Sequence, residues 1–427
     1  MLSLLTTLPI LTWLGLAAIL SYLGLLTFKM QMVVSALRAN QKTDSEMNVV
    51  QFSVRDAEPS RSENSFESSA STSNDAGVLM TIMQPILSGD PQLEAMLEAN
   101  VQLTNRRVQF LWLVDEADTR AQQITQGIRS RQDPPEQHRL AFCFAQTVPE
   151  KLNPKAFKLN IGLIQVRSQY VAVLDDDTCL ANGNLEQAID RLNECDLYTG
   201  LPLFQASKGI GSQLVAQFVN NNSLVTYLAV ARLLPPITIN GMFYVARTEY
   251  LKSLQAFKTI EAELCDDLAL ATHVRRSGGK VHQGTAPLEL RVSVHDAKHY
   301  WSIMHRWFVF ADILTAKQSL VTQLTLGLLL GLPSVLLWLA LLTAFTSVAA
   351  FIACCLTLTV RHALIQKMLR ETKVEGLPIH LVWSLVSELL QPLHFIHAKL
   401  VRTIHWRHRT IRVHRNGSFQ ETRSIHQ

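Results

Sequence analysis

The sequence predicts an α/β domain with a mostly parallel sheet and flanking helices, held between transmembrane helices at both ends. Three observations carry this reading. From Gly77 onward, short apolar runs alternate with helix-like segments, the pattern of βαβ units. Residues 1–28 and 318–360 contain no charged side chain, which at roughly 20 residues per span is room for one crossing and then two. Of 427 residues only 17% are charged and 48% are hydrophobic, whereas ordinary soluble domains carry about 25% charged residues. Mean hydropathy is accordingly positive, at +0.13.

Taken in order, residues 1–30 read as a retained anchor. The stretch has no positive n-region, as a cleaved signal would, and its first basic residue is Lys29, followed by Arg38 and Lys42. By the positive-inside tendency the chain after it is cytoplasmic. Residues 42–76, rich in Ser, Glu, Asp and Asn, bury too little apolar surface to offset ordering and read as a disordered linker. The α/β domain spans 77–297. Its expected strands are Val78 to Met83, Val108 to Val114, Leu140 to Phe144 and Tyr170 to Leu174. The expected helices between them are Pro91 to Val101, with Pro at its first turn, then 119–131 and Phe157 to Val166.

The stretch Val171-Ala-Val-Leu-Asp-Asp-Asp-Thr178 is a buried strand ending in three carboxylates. Like charges this close repel unless a cation joins them. Asp175 and Asp177 fall on the same side of an extended segment and suit Mg²⁺ or Mn²⁺ carrying a nucleotide diphosphate; the alternative is an acidic turn on a solvated surface. In open sheets ligands bind beyond the strands' carboxyl ends, and Asp115 falls at such an end too. Ile239 to Ala246 reads as a small-residue turn leading into a further strand. Asp266 and Asp267 open an amphipathic helix closed by Gly278-Gly279; there they either do chemistry or merely complement the helix N-terminus.

Residues 298–317 form an aromatic amphipathic segment expected along the bilayer surface. Residues 318–360 make two spans turning near Thr343 to Ser347. Residues 377–400 read as a third transmembrane or re-entrant segment, with a re-entrant or interfacial helix pair broken around Pro392 favoured, because a full crossing would put the basic tail, 401–427, outside. The six cysteines show no CxxC spacing and read as reduced thiols. A formal net charge of +4 gives no reason to expect a nucleic-acid partner. Among the histidines, His273, His295 and His299 read as ordinary surface or core residues, and His305, beside Arg306, as the one worth testing.

The order of these features resembles the membrane-bound family 2/21 glycosyltransferases, most of all the ceramide glucosyltransferase-like group. The resemblance rests on Gln84-Pro-Ile-Leu-Ser-Gly-Asp-Pro-Gln-Leu-Glu94, Leu152-Asn-Pro-Lys155, Leu174-Asp-Asp-Asp177, Cys265-Asp-Asp-Leu268 and Arg306-Trp307. It implies a GT-A type fold and an inverting, metal-dependent transfer of a hexose, glucose above all, from a UDP-sugar to a lipid acceptor hydroxyl at the membrane's cytoplasmic face. It further implies that Asp115 or Asp118 contacts the base or ribose, that Lys155 lies near the diphosphate, and that Asp175 and Asp177 hold metal and donor. Asp267, beside Asp266, is then the general base, and Arg306 and Trp307 belong to the donor site. Two departures stand out: Gln84 replaces a basic residue, and Ile303 replaces the Gln or Arg that opens the last signature. These leave two rivals, a processive polysaccharide synthase of the same fold and a catalytically inactive membrane scaffold.

Overall fold

The computed structural model describes residues 2–47, 77–146, 148–149, 151–406, 409–414 and 418–424. The chain begins with one long helix, α1 (Leu2–Met47). The first six residues of the expected linker, 42–47, are therefore helical, and its remainder lies outside the described residues. Then follow β1 (Met80–Ile86), α2 (Leu93–Leu103), β2 (Val108–Asp115), α3 (Thr119–Arg131), β3 (Leu140–Ala145), α4 (Pro154–Gln165) and β4 (Tyr170–Leu174). Pro91 stands just before α2 rather than in its first turn. The expected elements are otherwise present, with ends shifted by at most three residues.

The second half adds β5 (Thr178–Cys179), β6 (Leu197–Ala206), α5 (Ile210–Ser223), β7 (Phe243–Arg247), α6 (Asp266–Arg276) and β8 (Val281–Val292). One sheet takes all eight strands in the order β3-β2-β1-β4-β7-β6-β8-β5. Four pairings are parallel (β3 with β2, β2 with β1, β1 with β4, β6 with β8), and β7 runs antiparallel to both neighbours. Two reversals restore direction, so β1, β2, β3, β4, β6 and β8 all end at the same edge. Side chains alternate between two cores. Ala172 and Leu174 join Ile82, Phe110 and Trp112 on one face, while Val171 and Val173 join Met83, Leu111, Leu113 and Leu159 on the other. Each fully buried aliphatic side chain is worth about 1.5–3 kcal/mol relative to exposure. Gly162 lets α4 lie close against the sheet, since a Cβ there would meet Leu113 Cδ2 at 2.7 Å.

Helix α7 (Ala297–Ala316) leads into the membrane-type helices α8 (Leu320–Thr346) and α9 (Val348–Arg370). Pro9–Asn40 of α1, with α8 and α9, are three helices long and apolar enough to cross a membrane. Helix α10 (Leu381–Leu400) runs through Pro392 without interruption. The expected pair broken at that proline is thus one helix, because packing against α5, α7 and α8 outweighs the single backbone bond that proline removes. The tail folds as an antiparallel sheet of β9 (Thr403–Trp406), β10 (Arg409–Val413) and β11 (Phe419–Ser424).

Candidate active site

The shared sheet edge gathers the acidic motifs. Asn153 caps α4 by accepting from the N–H groups of Lys155 (2.9 Å) and Ala156 (3.3 Å), with Pro154 at the first helical position, where proline's fixed φ suits the helix. Its amide also donates to the carbonyls of Glu263 (3.1 Å) and Leu264 (3.2 Å). One buried side chain thereby joins the Asn-Pro-Lys turn to the segment that delivers Asp266 and Asp267.

Lys155, placed in that first turn, reaches Asp175 Oδ1 at 2.6 Å, Asp266 Oδ2 at 3.8 Å and the Gly241 carbonyl at 2.7 Å. Burial alone would lower its pKa, but Asp175 and then Asp266 carry it above the ordinary lysine value. Gly241 precedes β7 and comes close to Asp267, whose Cβ would sit 3.2 Å from any Cβ placed there. Asp267 Oδ1 accepts from the Leu268 N–H at 2.8 Å. Burial first, and the neighbouring Asp266 second, push the Asp267 carboxyl up to about 7, with Lys155 acting in the opposite direction.

The triple-aspartate turn divides by side. Asp175 and Asp177 are partly exposed, while Asp176 is buried and accepts from the Leu87 N–H at 2.9 Å. The middle carboxylate ties the loop after β1 to the loop after β4, and the outer two face the edge. Asp177 Oδ1 also accepts from the Thr178 hydroxyl at 3.2 Å. Among the described residues no group of three His, Cys, Asp or Glu converges as a metal would need. Asp175 and Asp177 can supply two hard oxygen ligands, and a cation of the Mg²⁺ or Mn²⁺ type ordinarily completes its shell from phosphate and water. The crowding of carboxylates around two lysines fits such a cation.

Asp115, at the tip of β2, receives Lys158 Nζ at 3.1 Å, and the same ammonium donates to the Ile86 carbonyl at 3.0 Å. Asp115 Oδ1 is buried with no partner among the described residues. Asp118 is placed differently: Oδ2 accepts from the Ser88 N–H (2.8 Å) and Oδ1 caps α3 through the Ala121 N–H (2.9 Å). Burial opposes ionisation of Asp118, but these bonds outweigh it and lower its pKa. Its oxygens thus hold the loop after β1, which leaves Asp115 as the carboxylate with a free atom. Lys158, only 4% exposed, is the residue that sequence reasoning missed. The available signal was a lysine on the otherwise apolar face of α4, one turn after Lys155.

On α7, Arg306 is half-buried. The Trp307 ring lies edge-on to Phe204 at 6.0 Å and stacked on Phe218 at 6.2 Å, so it packs the helix onto β6 and α5. His305 is buried with Nε2 3.1 Å from the Thr403 carbonyl, which ties α7 to β9. Gln84 is buried beneath the site, its oxygen accepting from Trp112 Nε1 at 2.9 Å; a charge there would have no water and no counter-ion. Next to Asp266 and Asp267 in the chain, Cys265 and Leu268 pack in one apolar cluster with Leu326 and Leu329 of α8.

No curated protein matches the chain significantly. Among solved structures it is similar to a mannosyltransferase from Pyrobaculum calidifontis in complex with GDP-Man and Mn²⁺, at 13% identity over 91% of this chain and 98% of that one, with a TM-score of 0.48. It is also similar to S. aureus TarS in complex with UDP-GlcNAc, at 11% identity over 82% of this chain and 100% of that one, with a TM-score of 0.37. The sequence profile of glycosyl transferase family 21 matches residues 49–419, which is most of the chain, and the protein belongs to that family.

Proposed function

We propose that this chain is an inverting hexosyltransferase that moves a sugar, glucose above all, from a UDP-sugar to the hydroxyl of a lipid acceptor at the cytoplasmic face of a membrane. The observation that carries the reading is the position of Asp267. Its neighbour Asp266 lies 3.8 Å from Lys155 at the acidic sheet edge, and Cys265 and Leu268 on either side of the pair pack in the apolar cluster that includes Leu326 and Leu329 of a membrane-type helix. A base so placed can meet a water-soluble donor on one side and a lipid on the other.

The free Oδ1 of Asp115, oriented by Lys158 on Oδ2, is an acceptor for an N–H on the edge of the donor's base. Asp175 and Asp177 would hold a divalent cation, whose chemistry is to neutralise charge growing on the departing nucleotide diphosphate. Lys155 keeps Asp175 and Asp266 in register. As the acceptor oxygen bonds to the anomeric carbon and the bond to the diphosphate breaks, Asp267 takes the hydroxyl proton. One base and one displacement invert the anomeric centre.

The membrane arrangement supports the cytoplasmic placement. The α/β domain meets the same ends of all three spans. Arg191 donates to Asn40 (3.3 Å), Lys317 pairs with Glu263 (3.2 Å) and Gln205 donates to the Glu375 carbonyl (3.5 Å). Lys29, Arg38, Lys367 and Arg370 mark that side as the cytoplasmic one. The deciding experiment is lipid extraction from a host expressing wild type or Asp267→Asn, followed by mass spectrometry. A hexose increment on a lipid in the wild type alone is expected; no increment with any nucleotide sugar would end the reading.

A further inference from the structure

Asp266 and Asp267 open α6, but the stretch that delivers them has no ladder of its own. Residues 261–265 follow the short helix Ala256–Ile260 and belong to no helix or strand. Backbone of this kind is held only by the groups that bond to it from outside.

Helix α4 supplies those bonds. The Asn153 N–H donates to the Glu261 carbonyl at 2.7 Å, and the Asn153 side-chain amide donates to the carbonyls of Glu263 and Leu264 at 3.1 and 3.2 Å. Two turns further along, the Asn160 amide donates to Glu261 Oε1 at 2.7 Å, while Lys258 donates to Oε2 at 3.0 Å. Asn153 is 1% exposed and Glu261 4%, so water does not compete for these bonds. Both amide hydrogens of Asn153 go to this stretch, and its Oδ1 caps α4, which leaves the side chain one orientation. From the opposite side, Lys317 pairs with Glu263 at 3.2 Å, and Leu264 and Cys265 pack with Leu326 and Leu329 of α8.

The first turn of α4 also carries Lys155, which reaches Asp175 Oδ1 at 2.6 Å and stands 3.8 Å from Asp266 Oδ2. The side chain that grips the 261–265 stretch and the one that grips Asp175 are thus two residues apart on one helical turn. That turn sets the separation between Asp175 and the Asp266–Asp267 pair.

We propose that Asn153 and Asn160, acting through the Glu261 carboxylate and the carbonyls of 261–264, are positioning residues that fix the Asp267 carboxylate at a set distance from a donor held at Asp175. The proposal rests on the reading of Asp267 as the base. Neither asparagine touches substrate. Losing their grip displaces the base while Lys155 and Asp175 keep their places, so the turnover step suffers and donor binding does not.

The test measures transfer of label from radiolabelled UDP-glucose, with Mn²⁺, into the lipids of membranes from a host expressing the full chain. Amide hydrogen exchange is followed on the same chain purified in detergent. Asn153→Ser keeps a capping oxygen but has no amide to give. It is expected to exchange faster over residues 261–268, to keep its KM for UDP-glucose, and to lose about 10²-fold in maximal rate, the usual result of an ångström-scale misplacement. Asn160→Ala leaves the cap of α4 intact, so it serves if Asn153→Ser does not fold; a loss of about tenfold is expected, on the order of one bond to a charged group. Wild-type maximal rate in both variants would overturn the proposal and leave Asp267 as the base. So would a loss of rate matched by a raised KM or by a smaller folded fraction, which would mark ordinary structural support. No transfer by the wild type would instead end the reading of Asp267, and this proposal with it.

Discussion

The sheet edge and the membrane bundle both collect charge in partly or fully dry surroundings, but with opposite excess. At the edge Asp115, Asp175, Asp176, Asp177, Asp266 and Asp267 surround two ammonium groups, Lys155 and Lys158. In the bundle Arg361 pairs with the one carboxylate, Glu388, and Lys29 lines a cavity with it. The excess is negative in the first region and positive in the second. At the edge Asp175, Asp177, Asp266 and Asp267 stay partly exposed, and burial together with Asp266 pushes the Asp267 carboxyl up to about 7. The bundle buries Arg361 completely and leaves Glu388 13% exposed.

Several variants would break or sharpen that contrast. The largest effect is expected at the edge: Asp267→Asn should lower transfer by about 10²–10⁴-fold, the usual share of a general base, with nucleotide binding by calorimetry retained. Next is the bundle, where Glu388→Gln strands Arg361 and should cost about 3–5 kcal/mol, the penalty for halving a buried pair, read as early unfolding in detergent with the folded fraction still active. Asp177→Ala should reduce Mn²⁺ binding about tenfold or more by electron paramagnetic resonance, on the order of one charged-group contact, and leave unfolding unchanged. Smallest is a pH effect. With Asp267 in its proposed role as a base that works ionised, activity should rise as pH passes through about 7 and level off above it. Lys155→Met removes the cation that favours the ionised form, so the rise should move to higher pH, by on the order of one unit. A rise that stayed in place would separate Lys155 from Asp267.

Much of this was legible in the chain itself, for reasons that differ by region. Val171-Ala-Val-Leu174 is a strand because its side chains fit a sheet buried on both faces. The acid cluster announced an edge because strand ends are where a parallel sheet exposes its backbone. Residues 318–360 announced two spans because charge is costly in hydrocarbon and these residues carry none. Asn153-Pro-Lys155 was visible as a turn, since an Asn cap and a Pro at the first position are local chemistry.

What only the tertiary structure decided are partnerships between distant segments. Asp118 turned out to cap α3 and hold Ser88, and Trp307 to pack on Phe204 and Phe218. Lys158 became part of the site because β1 and β2 converge on it. Pro392 failed to break α10 because three helices hold it from outside, and Lys29 found the Leu329 carbonyl only because α8 packs on α1. The physical reason is common to all. Propensity and periodicity act over a few residues, whereas the counter-ion of a charge and the partner of a ring are chosen by whichever segments, tens or hundreds of residues away, the fold brings alongside.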